Sequence, residues 1–254
     1  MERIKIADRS LAYERRGRGA PLALIHGFPL DHSIWDEVGP LLENDFDLIL
    51  PDLRGFGGSD STAETYTMTD LADDLASLLD HLGIESTLLA GHSMGGYVAL
   101  AFAQGHASRV RVLALVASQA AADSEERKTG RYAQARQIAE DGIGGAVAAM
   151  TEKLTADEGL RKFIHALMRK QKPAVYIGAL KAIAERADTL SVLTAASFPV
   201  ALVHGDADAL IPIAKAQEIQ SAVPRARLFT LGGVGHVPML ENPQAVADAL
   251  MNFL

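Results

Sequence analysis

Apolar residues along the chain fall into two alternating rhythms. Short apolar runs bounded by Gly, Pro and Asp occupy residues 4–6, 11–14, 22–25, 48–50, 87–90, 112–116, 200–203 and 228–231. The first two read as a leading hairpin. The internal ones are nearly continuous in Val, Ile, Leu and Ala, as parallel strands buried on both faces require. Between them the period lengthens to three and four. Met68, Leu71, Ala72, Leu75, Leu78, Leu79 and Leu82 form one apolar stripe, opened by the Thr67/Asp70 pair of a capping box and closed by Gly83. Ser33 with Asp36 repeats that start signal ahead of Leu41, and Asn242–Pro243 opens a last helix burying Val246, Ala249, Leu250 and Phe253. Strands alternating with helices predict an α/β fold, a mostly parallel doubly wound sheet of about eight strands.

One stretch breaks the alternation. Between residues 120 and 197 there is no convincing strand, only helical spacing over 132–140, 145–153, 160–170 and 174–186. That is far longer than a single crossover needs. We read it as a helical cap over the carboxyl ends of the strands, with residues 1–119 and 198–254 forming the core; open α/β sheets place ligands at that edge. The segment 123–188 holds twelve Lys and Arg against ten Asp and Glu, so its charges read as solvated helix faces with no charged-substrate preference. Its apolar residues Phe163, Leu167, Tyr176, Ile177 and Leu180 read as the core of this cap rather than as a substrate pocket.

Composition removes several classes of function. With 254 residues, 48% hydrophobic and 22% charged, the chain fits one large globular domain or a domain carrying a sizeable insertion. A formal charge of −8 argues against a nucleic-acid or anionic-membrane partner, both of which need a basic patch. The absence of cysteine removes disulfides, thiolate nucleophiles and sulfur-ligated zinc. No apolar run approaches the length of a membrane span, and the first residues lack the apolar core of a signal peptide, so the expectation is a cytoplasmic protein. Oligomeric state is not legible.

The chemistry starts at LLAGHSMGGYVALAFA, residues 88–103. A strand enters G-x-S-x-G at Gly91, and a helical face beginning with Tyr97 leaves it. A simple helix cap would explain the serine, but a nucleophile elbow explains the glycines too, because its turn is too tight for side chains on either side of Ser93. A serine hydroxyl needs a base. His26 and His204 end strands and can satisfy backbone groups, His81 and His106 suit helix ends, and His32 and His165 carry no motif. His236 lies in LGGVGHVPMLENP, a Gly-rich loop between the last strand and the last helix, and is the candidate base. An acid must hold its tautomer. HGDADALIP offers Asp206 and Asp208, whereas ALVASQAA after the preceding core strand offers none.

The order Ser93, Asp, His236 is one of the known orders of this constellation, and here the chain resembles the α/β-hydrolase fold family. HGFP (26–29) is similar to its oxyanion loop, DLRGFGGSD (52–60) to its next turn, and Gly205 to Pro212 to its acid loop, in which the acid is the fourth residue, Asp208. The resemblance implies oxyanion donors at the backbone N–H groups of Phe28 and Met94, with Pro29 and Tyr97 contacting substrate. Finer likeness points to the esterase, enol-lactonase and cofactor-free haloperoxidase branch; a serine at position 93 separates the chain from dehalogenases and epoxide hydrolases, which attack with aspartate. The implied activity is hydrolysis of a small, hydrophobic ester or lactone, without metal or cofactor, and with peracid formation as a side reaction shaped by Pro29. Carbon–carbon bond hydrolysis and a catalytically slow ligand-binding homologue are the alternatives.

Overall fold

The computed structural model describes residues 1–6, 9–61 and 65–253, so the turn of the leading hairpin lies outside the described residues. Its first part runs β1 (Glu2–Ile6), β2 (Arg9–Gly17), β3 (Ala20–Ile25), α1 (Gly39–Leu42), β4 (Phe46–Pro51), α2 (Met68–His81), β5 (Thr87–His92), α3 (Met94–Gly105) and β6 (Val110–Val116). Five helices follow: α4 (Glu125–Asp141), α5 (Gly144–Leu154), α6 (Glu158–Arg169), α7 (Pro173–Ala184) and α8 (Leu190–Ala195). The chain then returns through β7 (Val200–Gly205), α9 (Ala214–Ala222), β8 (Arg227–Leu231), α10 (Pro238–Glu241) and α11 (Pro243–Met251).

The described strands form one eight-stranded sheet in the order β1-β2-β4-β3-β5-β6-β7-β8. β1 and β2 pair antiparallel, as does β2 with β4; every other pair is parallel. Every residue of β5 and β7 is buried, which is what their unbroken apolar runs anticipate. Parallel strands share one carboxyl edge, so the loops after β3, β5, β7 and β8 emerge together, although they lie more than 200 residues apart at their extremes.

Local signals explain most helix ends. Thr67 caps α2 in a complete capping box, its hydroxyl accepting from the Asp70 N–H while Asp70 accepts from the Thr67 N–H. Asn242 caps α11 through Ala245. Two expectations need correction. Ser33 is not a cap: Asp31 takes that role, accepting from both the backbone and the hydroxyl of Ser33, and opens only a short 3-10 turn, His32–Trp35. Phe253 is half-buried, resting edge-on against Phe229 beyond the end of α11. The helices after β6 also differ in detail. α4 starts seven residues before the apolar spacing begins, because Ser124 caps it at Arg127, and α8 carries too few apolar positions to show a period.

The close fit of α3 onto the sheet positions everything that follows. A Cβ on Gly95 would stand 2.6 Å from the His26 carbonyl oxygen, and closer still to that of Ile25, so the start of α3 rests directly on the backbone leaving β3. Gly95→Ala is therefore expected to push α3 off the sheet and cost about 1–3 kcal/mol of stability, as overpacking does. Urea denaturation at constant m-value checks this; an unchanged midpoint would mean the helix can yield freely.

Candidate active site

Ser93 stands between β5 and α3 at φ 51 and ψ −114, a conformation that side chains avoid and that is held here from several sides. Its N–H donates to the Val116 carbonyl (2.9 Å), and its own carbonyl accepts from the Gly96 N–H (2.9 Å) and from the Ser118 hydroxyl (2.8 Å). A side chain on Gly91 would overlap the backbone of Gly95, so the turn closes only with glycine there. The outcome is a hydroxyl lifted from the end of the strand, at the head of a helix.

That hydroxyl meets His236. Ser93 Oγ lies 2.9 Å from His236 Nε2, and His236 Nδ1 lies 2.7 Å from Asp208 Oδ2. An ionised carboxylate can only accept, so Nδ1 carries the proton and the Nε2 lone pair faces the hydroxyl. Asp208 is aimed by its other oxygen, which accepts from the N–H groups of Leu210 (2.8 Å) and Ile211 (2.9 Å). Burial pushes the Asp208 carboxyl up, but hydrogen bonding from the neighbouring histidines outweighs it and holds the group well below the usual carboxylate range. Of those two histidines, His236 is the stronger partner. His204 lies 3.4 Å from Asp208, whereas its Nε2 donates at 2.7 Å to the Ile211 carbonyl. Asp206, the rival acid, accepts from the Gly233 N–H at 2.7 Å and ties the loop after β7 to the loop after β8.

The remaining sequence-predicted residues separate into two groups. Phe28, Met94 and Tyr97 join Ser93 in the wall of a cavity of about 70 Å³. Phe28 N–H makes no hydrogen bond to a described residue, and Met94 opens α3, where the first N–H groups lack intrahelical partners. Both residues that offer these donors share the serine's cavity. Tyr97 is held by Gln119, which donates to its hydroxyl at 3.3 Å, and by the Arg186 guanidinium 4.2 Å above its ring. Pro29 is buried next to Phe28 through a cis peptide bond and is not part of the cavity wall. Nor are Phe163, Leu167, Tyr176, Ile177 and Leu180: Leu167, Tyr176 and Leu180 are buried in packing, Ile177 is half-buried and Phe163 is exposed.

The loop carrying Phe28 is fastened by residues of the two flanking motifs. His26 Nε2 accepts from the Leu53 N–H (2.9 Å). Asp52 accepts from the backbone and ring of His32 through one oxygen and from the Gly58 N–H through the other. Ligand-type atoms of Asp31, His32 and Asp52 fall within 4.8 Å of one another. Their oxygens already serve Ser33, His32 and Gly58, so the cluster reads as a brace for the loop.

One participant escaped the sequence reading. His92, inside G-H-S-M-G, is fully buried and donates from Nε2 to the His236 carbonyl at 2.8 Å, gripping the loop that carries the candidate base. A histidine ending a strand buried on both faces must find a partner, and that was the signal available. Its Nδ1 is buried without one.

Residues 20–243 match the family described as the alpha/beta hydrolase fold. The chain belongs to that family. It is 28% identical to a pimeloyl-[acyl-carrier protein] methyl ester esterase of Aeromonas hydrophila over 96% of this chain and 99% of that one. Among solved structures, a malate-bound thermophilic esterase from Thermogutta terrifontis superposes with a TM-score of 0.94 at 32% identity, over 99% of this chain and 97% of that one. The enol-lactonase of Burkholderia xenovorans LB400 has a TM-score of 0.91 at 24% identity, over 99% of both chains, a likeness of fold.

Burial, then the nearby His236, lowers the His92 pKa to about 3. A base whose pKa is depressed by folding binds fewer protons in the native state than in the unfolded one, so stability is full above about pH 6.5, the unfolded value, and is lost as pH falls towards 3. The melting temperature is therefore expected to fall on acidification from pH 7 to pH 4. His92→Gln, which keeps a donor for the His236 carbonyl, should show a shallower fall even if it melts earlier at pH 7. Equal slopes would remove His92 from the acid response.

Proposed function

We propose that this hydrolase-family member is a serine esterase or lactonase acting on small carboxylic esters through an acyl-enzyme. The observation that carries the reading is the unbroken line from Asp208 Oδ2 through His236 to Ser93 Oγ, with both contacts at hydrogen-bond length. In this scheme His236 takes the Ser93 proton at Nε2 while Oγ attacks the substrate carbonyl. The N–H groups of Phe28 and Met94 receive the oxygen as it becomes negative; a preorganised donor of this kind is worth about 3–4 kcal/mol. Asp208 stays ionised and stabilises the imidazolium. His236 then returns the proton to the departing alcohol, and water repeats the sequence to release the acid. Were hydrogen peroxide to replace that water, a peracid would leave in place of the acid.

Pro29 acts in this scheme by shaping the loop behind Phe28, and Tyr97 by walling the pocket. The helices between β6 and β7 serve as a cap. Support comes from their hold on the site: the Leu154 carbonyl at the end of α5 accepts from the His236 N–H (3.0 Å), and Tyr176 of α7 packs edge-on against Phe28 with ring centroids 5.3 Å apart. The relatives named as esterases share the chain's full length, which favours ester hydrolysis over carbon–carbon cleavage or a receptor role.

Ser93→Ala is expected to fold normally and to lose on the order of 10⁴-fold or more of its ester hydrolysis. Retention of several per cent of activity in a clean preparation would overturn the serine mechanism. Between the two loop acids, Asp208→Asn should reduce kcat by orders of magnitude, whereas Asp206→Asn should act chiefly on thermal stability; the reverse ranking would move the acid by two residues.

A further inference from the structure

The cavity beside Ser93 has a charge that the near balance of acids and bases in the inserted helices conceals. Arg127 and Arg131, one turn apart on α4, line it together with Ser93, and none of its lining residues is acidic. Both arginines turn towards a single carboxylate. Asp123, with a fully buried side chain, pairs closely with Arg131, lies 3.0 Å from Arg186, and is 3.7 Å from Arg127. One carboxylate serves three guanidiniums, which leaves a surplus of two positive charges among the described residues of the cluster. Local alternatives do not supply the difference. Glu185 is taken by Lys128 (2.7 Å), and the exposed Glu125 and Glu126 form no ion pair with these arginines.

Arg186 is 4% exposed and fixed over Tyr97, with its Nε buried and unpartnered; Arg131 is held on Asp123 at 19% exposure; Arg127, at 41%, is the loosest and the one free to swing. Clustering like charges beside an apolar pocket costs stability unless a ligand relieves it. A guanidinium presents a planar fork of donors that a carboxylate matches.

We propose that the enzyme selects esters that carry a carboxylate, with Arg127 and Arg131 receiving that group while Ser93 attacks the ester. This rests on the esterase reading above and names its substrate class.

Two matched pairs test it: monomethyl glutarate against methyl 5-methylhexanoate, with the charge on the acyl side, and acetoxyacetate against isobutyl acetate, with the charge on the alcohol side. In at least one pair the anionic ester should have the higher kcat/KM, by about tenfold, a size typical of partly solvated charge pairs. That ratio should shrink between about 0.05 M and about 0.5 M salt. Arg127→Gln should lower the ratio severalfold and Arg127→Lys should recover part of it; Arg127 is chosen because Arg131 also anchors Asp123 and its loss endangers folding. Equal kcat/KM within both pairs, or a ratio indifferent to salt and to Arg127→Gln, would overturn this inference while leaving the esterase reading intact. Hydrolysis of none of the four esters would instead strike at the esterase reading itself.

Discussion

Helix α3 has to begin within one residue of the end of β5 while lying against the backbone of β3 and the start of the segment after β6, and the rest of the site depends on that close approach. It excludes side chains at Gly91 and Gly95, and it forces Ser93 into a left-handed conformation that only the surrounding hydrogen bonds sustain. In exchange, the Ser93 hydroxyl projects from the sheet edge beside the first, unpaired N–H groups of a helix. The hydroxyl's placement and the strain share one origin here, since a relaxed turn would carry the hydroxyl back into the packing.

The loops after β7 and β8 complete the arrangement by dividing the work of neighbouring carboxylates. Asp206 spends its acceptor on the Gly233 N–H and so fixes the distance between the loops. Asp208 spends one oxygen on backbone N–H groups and keeps the other for His236. His92 and Leu154 then hold the backbone of His236 from its carbonyl and its amide. The imidazole is thereby positioned through its own main chain as well as through its ring, and one of those grips comes from the inserted helices.

Those helices show how charge can be balanced in number yet unbalanced in space. Along residues 123–188 the acids and bases nearly cancel. Folding sorts them: Lys128 finds Glu185, whereas Arg127, Arg131 and Arg186 converge on Asp123 beside the cavity. The turn of α4 that carries Arg127 and Arg131 lacks apolar spacing and is helical because Ser124 caps it, so a reading based on periodicity begins the helix too late to notice them.

The sequence alone determined the α/β architecture and all eight strands, and it named Ser93, His236 and, ahead of Asp206, Asp208 as the candidate site. These are recorded in contiguous residues: strand runs in unbroken apolar stretches, the elbow in G-x-S-x-G, the candidate base in a glycine-rich loop. What only the tertiary structure decided concerns residues whose partners are distant in the chain. It set Asp208 against His236 and Asp206 against Gly233, and it recruited His92 and Ser118 to hold the candidate base and the elbow. It also put Tyr97 but not Pro29 in the pocket wall, and gathered three arginines around one aspartate. Local patterns report backbone preference and burial, which act over a few residues; a hydrogen bond or an ion pair depends on separation in space, which the chain acquires only when its parallel strands bring their carboxyl ends to one edge.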